Sequence, residues 1–89
     1  MLILKPTTRF LKDLKLAQKR GQDIDDLEAI VDLLQFRKVL PVRHRDHALS
    51  GVWKHHRECH IAPDWLLIYR TDDEFLYLER TGSHADLFE

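Results

Sequence analysis

Residues 64–71, DWLLIYRT, put five apolar side chains in unbroken succession. Neighbouring side chains on a strand point to opposite faces, so such a run cannot leave either face in water. The segment has strand length and is too short for a typical helix. It predicts a central strand covered on both sides. DDE at 72–74 reads as a turn. FLYLERTG at 75–82 reads as the next strand, with Leu76, Leu78 and Arg80 on one face and Phe75, Tyr77 and Glu79 on the other. Residues 52–61, VWKHHRECHI, read as an extended segment with a bend near His55 and His56, and Pro63 as a tight reversal into the central strand.

Cover for this sheet comes from the N-terminal half. After a short extended LILKP, Thr7 or Thr8 can cap a helix with Phe10, Leu11, Leu14 and Ala17 along one side, and Gly21 suits its end. Asp23 can cap a second helix, with Asp25, Asp26 and Glu28 at its positive end and Leu27, Ile30, Val31 and Leu34 at the spacing of a buried stripe. VRHRDHALSG lacks helical period and reads as a polar connection, and Ser83 can cap a last helical turn in SHADLF. The expected fold is α+β, a single domain over 1–89. An N-terminal strand and a two-helix hairpin pack on a small antiparallel sheet of three or so further strands, followed by a short C-terminal helical turn.

With 44% apolar and 33% charged residues, the chain has the composition of a folded domain rather than a disordered one. No apolar run approaches the ~18 residues of a membrane span, and MLILKP has neither the length nor the cleavage site of a signal peptide. The expected location is the cytoplasm, with no membrane partner. Cys59 stands alone, without a disulfide partner or a zinc framework. Net charge is −1, but it is distributed in blocks. Residues 1–20 carry six bases and one acid, 21–35 five acids, 36–60 six bases and two acids, and 61–89 two bases and seven acids. Such blocks can be the solvated faces of helices, or can give a nearly neutral molecule a basic face for a polyanion.

The polar residues are more specific. His47 lies in the connection before the sheet; His60, Asp64 and Trp65 bracket the Pro63 reversal; Arg80 leaves the last strand; and His84 and Phe88 lie in the tail. Each alone has an ordinary explanation, as a loop histidine, a turn aspartate, a core tryptophan or a terminal anchor. Strand ends related by one or two reversals can share one edge of a sheet, which would bring these residues together. Histidines titrate near neutrality, and the arginine fork suits phosphate. With a carboxylate, they are the parts needed to cut RNA without a metal: a base for the 2′-hydroxyl, a cation for the phosphorane, and an acid for the departing 5′-oxygen. The pairs His56/His60 and His44/His47 have spacings that chelate from helices, but they lie in extended or loop sequence with no H-E-x-x-H motif, so no metal or other cofactor is expected.

The segments DHALSG, RECHIAPDWLLIY and ERTGSHADLF, with FLKDLKLAQKRGQDIDDLEAIVDLL upstream, closely resemble the YafQ branch of the RelE/ParE superfamily, toxins of bacterial type II toxin–antitoxin modules. The resemblance spans nearly the whole chain, and its H-I-A-P-D-W and R-T-G-S-H segments are its most specific part. It implies a ribosome-dependent mRNA endonuclease that cleaves the codon in the A site of the 70S ribosome. It also implies a DinJ/RelB-like antitoxin partner with a ribbon-helix-helix domain, through which alone the toxin would meet operator DNA. Motif by motif, it implies a catalytic set of His47, His60, Asp64, Arg80 and His84. Trp65 and Phe88 would stack on or position a base, with Arg57 and Lys54 in the neighbouring basic block binding RNA. The preferred roles are Arg80 on the phosphate, His84 as general acid, Asp64 or His60 as base or its orienting group, and His47 in support. His55 and His56 are expected to be exposed strand residues. ParE-like relatives with the same architecture act on DNA gyrase, and an inactive antitoxin-binding partner is the other alternative.

Overall fold

The computed structural model describes residues 1–88. Strand β1 (Ile3–Pro6) leads into helices α1 (Thr8–Lys19) and α2 (Ile24–Gln35). Strands β2 (His47–Ala48), β3 (Arg57–Ala62), β4 (Trp65–Thr71) and β5 (Phe75–Gly82) follow, and the short helix α3 (His84–Phe88) is the last described element. The helical caps match the sequence: the Thr7 hydroxyl accepts from the Phe10 N–H at 2.9 Å, and Asp23 accepts from the Asp25 N–H at 3.0 Å. Gly21 takes the left-handed conformation, φ 79°, that ends α1.

The sheet has five strands in the order β1-β5-β4-β3-β2. It is antiparallel except at one edge, where β1 runs parallel to β5, a pairing that the expected all-antiparallel sheet did not include. Helices α1 and α2 cover one face: Phe10, Ala17, Leu27, Ile30, Val31 and Leu34 pack with Cys59, Trp65, Leu67, Tyr69, Leu76 and Leu78. Leu11 is the exception to its expected stripe, being 47% exposed. Leu66 and Ile68 point the other way, where Leu87 of α3, Leu49 and Trp53 cover them. The central strand is thus buried on both faces as its sequence requires, by two layers of unequal size.

Two irregularities reset the side-chain alternation. Between Ile68 and Tyr69 the register with β5 shifts, so that Tyr69 faces Leu78 while Ile68 faces Arg80. Arg80 therefore drops out of the Leu76–Leu78 face to which strict alternation assigns it, and the buried Thr81 takes the next inward position, bonding the Leu66 carbonyl at 2.7 Å. A second shift lies between His60 and Ala62, just before the two-residue Pro63–Asp64 reversal. The connection before β3 is less irregular than its sequence suggests. It holds single 3-10 turns at Val42–His44 and Gly51–Trp53, and His47 of the two-residue β2 pairs with Glu58.

Candidate active site

Alternation along β3 sends Cys59 and Ile61 into the helix-covered core and Glu58 and His60 to the opposite face, beside Leu66 and Ile68. There Glu58 is 4% exposed, with His60 Nε2 at 3.6 Å and His47 Nε2 at 4.0 Å from its carboxylate. His84 arrives from α3, its ring centroid 5.8 Å from that of His60. Asp64, on the reversal between β3 and β4, meets His84 Nδ1 at 2.9 Å and accepts the His84 main-chain N–H at 3.1 Å. Because an ionised carboxylate only accepts, Nδ1 carries the hydrogen in this contact, which leaves Nε2 as the free ring nitrogen. These bonds, the ring's first and the main chain's second, hold the Asp64 carboxyl below its usual pKa. Phe88, 44% exposed, has its ring 6.3 Å from that of His84.

Four of the five expected catalytic residues thus share one patch, His47, His60, Asp64 and His84, with Phe88 at its margin. Arg80 is held elsewhere. Its Nε and Nη2 lie 2.6 and 3.2 Å from the two carboxylate oxygens of Asp13 on α1, both side chains being largely buried. Arg80 and Asp64 nonetheless line the same cavity of about 150 Å³ at the α1–β5–α3 corner.

The aromatic and basic candidates divide. Trp65 is 2% exposed in the helix-side core, so it supplies packing and has no face for a base. Arg57 points to the helix side of the sheet and pairs with Asp46 at 3.3 Å, which also accepts from the Tyr69 hydroxyl at 2.6 Å. Lys54 is exposed and makes no ion pair with the cluster among the described residues. His56 is packed rather than exposed, edge-on to Trp53 and 3.7 Å from Glu79. Cys59 is fully buried, and burial pushes its thiol up to about 12, so it is no nucleophile.

Two residues in contact with His60 had no motif to announce them. Glu58 sits in the RECHI stretch as an ordinary strand acid; only its position two residues before His60, on the face opposite the helices, signals that the two side chains share a site. His44 bonds the His60 carbonyl through Nδ1 at 2.7 Å and so pins the strand behind it. Local spacing also missed a possible metal-holding set. Glu58, His60 and His84 offer ligand atoms within 4.8 Å of one another, and they come from β3 and α3 rather than from one helix.

Residues 2–89 match the family model described as bacterial toxin of type II toxin-antitoxin system, YafQ. The chain belongs to the YafQ toxin family. The mRNA interferase toxin YafQ of Escherichia coli strain K12 is 47% identical over 81 residues, covering 90% of this chain and 88% of that one. The E. coli DinJ-YafQ toxin-antitoxin complex contains a YafQ chain that superposes with a TM-score of 0.91 at 43% identity, covering 99% and 98% of the two chains. A metal-bound toxin from Helicobacter pylori superposes with a TM-score of 0.93 at 40% identity, covering 99% and 100%. The YafQ fold thus extends across both layers of the sheet described above.

Proposed function

We propose that this chain is a ribosome-dependent endoribonuclease that cuts mRNA in the A site, neutralised by a DinJ-type ribbon-helix-helix antitoxin. The observation that carries the reading is the pair of imidazoles, His60 and His84, 5.8 Å apart and each backed by a different carboxylate, Glu58 and Asp64. Two imidazoles at this separation can flank one phosphodiester.

In the proposed reaction, His60, with Glu58 behind it, takes the proton of the 2′-hydroxyl as that oxygen attacks the adjacent phosphorus. His84, oriented by Asp64, gives a proton to the departing 5′-oxygen, leaving a 2′,3′-cyclic phosphate. Arg80, which lines the same cavity as Asp64 while paired with Asp13, balances charge on the phosphorane from that side, His47 flanks Glu58 from the other side, and Phe88 stacks on a base beside the cut. No step requires a metal ion. Trp65, Arg57 and Lys54 take no direct part: the first is core, the second is turned to Asp46, and the third stands apart from the cluster.

Mapping cut sites by primer extension in a translation reaction, with free RNA as the control, tests this. Cuts confined to codons on translating ribosomes, lost on adding antitoxin, are expected. Intact mRNA with gyrase-dependent DNA breaks would replace the reading with a ParE-like one.

A further inference from the structure

We propose that Asp13 of α1 and Arg20, the residue that caps its C-terminus, are positioning residues for the arm 80–88. Asp13 fixes the guanidinium of Arg80, and Arg20 acts through Asp86 to fix the short helix that carries His84. The kinetic part of this proposal rests on the ribonuclease reading; the structural part does not.

The two residues are seven apart, two helical turns, and the Arg20 N–H still bonds the Leu16 carbonyl, so the cap continues the side of α1 on which Asp13 lies. Pairing between β1 and β5 ends at Leu78, so the outer edge of β5 beyond that point has no strand partner. Helix α1 supplies the missing bonds. The Thr7 hydroxyl donates to the Glu79 carbonyl at 2.9 Å, and Asp13 accepts the Thr81 N–H at 3.2 Å while holding Arg80 through Nε and Nη2. A guanidinium gripped at two nitrogens has its plane fixed, and Nη1 has no acceptor among the described residues.

Helix α3 is only five residues long, too short to be stable by itself. Its start is capped reciprocally: the Ser83 hydroxyl accepts the Asp86 N–H at 3.1 Å, and the Asp86 carboxylate accepts the Ser83 N–H at 3.0 Å. That same carboxylate accepts from Arg20 Nη1 and Nη2, at 2.5 and 3.3 Å, across 66 residues of chain. Within the arm itself the turn into α3 is tight: a Cβ on Gly82 would lie 2.9 Å from Asp86 Cβ. The charges are also ordered: the acid on α1 meets the base of the arm and the base on α1 meets its acid, so a slip along the helix would set like charges together. His84 and Phe88 are carried on the segment so held.

The test uses the full chain, purified away from its antitoxin. In the native protein the Arg80 Nε–H should give a slowly exchanging NMR signal, and the amides of 86 and 87 should be protected. Asp13→Asn should speed Arg80 Nε–H exchange by about tenfold, and Arg20→Gln should speed exchange of the 86 and 87 amides by a similar factor. In ribosome-dependent cleavage each should lower kcat by roughly tenfold with KM nearly unchanged, as expected when groups are misplaced rather than removed. Arg20→Lys, which keeps one charged contact, should recover part of the loss. If Asp13→Asn does not fold, Asp13→Glu carries the same test, since its longer side chain shifts the guanidinium. Unchanged exchange, or faster exchange with unchanged kcat, overturns the proposal. A native chain that cuts no mRNA sinks the ribonuclease reading alone, because the exchange measurements still decide whether α1 holds the arm.

Discussion

Asp64 Oδ1 lies 2.9 Å from His84 Nδ1 and 3.1 Å from the His84 main-chain nitrogen, so a single carboxylate oxygen fixes both the ring and the start of α3. Such a carboxylate orients an imidazole and stabilises its protonated form. It is poorly suited to act as a base itself, because the same bonds lower its pKa and so weaken its hold on a proton. Asp64→Asn keeps an acceptor oxygen and removes the charge. Cleavage should therefore fall by roughly tenfold, less than the ~100-fold or greater loss for His84→Ala. Parallel single-turnover assays of the two variants check the order.

The two histidines should also separate in a pH profile. A general base works only when neutral, so its rate falls as pH drops; a general acid works only when protonated, so its rate falls as pH rises. The native rate should be bell-shaped. His60→Gln should remove the acid-side limb, and His84→Gln the alkaline-side limb. Reversed limbs in the two variants would exchange the roles of base and acid.

Much of this arrangement is legible in the sequence, and the exceptions have identifiable causes. Caps at Thr7 and Asp23, the α2 stripe and the doubly buried β4 follow from side-chain chemistry and period, which local sequence encodes. The motif residues His47, His60, Asp64 and His84 also gather as their order along a meander suggests. Arg80 departs because the β5 register shift adds a residue that strict alternation cannot foresee, and because its partner Asp13 lies 67 residues away. Glu58 escaped notice for the opposite reason: an acid on a strand is unremarkable until the fold shows that it is buried between two imidazoles.

Trp65 offers a direct check on its assignment to the core. Trp65→Ala should cost about 3–5 kcal/mol of stability through the cavity it leaves. Trp65→Phe keeps most of the packing and removes an indole N–H that is buried without a hydrogen-bond partner among the described residues, so its cost should be far smaller. Urea melts of the two variants measure this, and Trp65→Phe should cut mRNA at nearly the native rate. A large loss of cleavage with stability intact would return Trp65 to the site.

Acid should release α3 before it unfolds the core. Bonds from Arg20 first, and then from the Ser83 main chain, lower the Asp86 carboxyl to about 2. A carboxyl whose pKa is depressed by folding contributes fully above its unfolded value near 4 and loses that contribution as pH falls through about 2. The tether is therefore intact at neutral pH and weakens only between these limits. Amide exchange of residues 86 and 87 should rise across that interval while β4 amides stay protected, and Asp86→Asn should show the fast exchange already at pH 7.

Divalent metal ions should inhibit rather than assist. Glu58, His60 and His84 can present a carboxylate oxygen and two imidazole nitrogens to one ion, a donor set that suits zinc or copper. The imidazoles that bind such an ion are the ones proposed to move protons, so occupancy would remove base and acid together. Zinc or copper ions should shift the ring signals of His60 and His84 at one stoichiometric equivalent and suppress cleavage, with a chelator restoring both. Glu58→Gln, which lacks the anionic ligand, should need roughly tenfold or more metal for the same shift. Stimulation of cleavage by the same ions would instead give the metal a catalytic role and overturn the two-histidine mechanism.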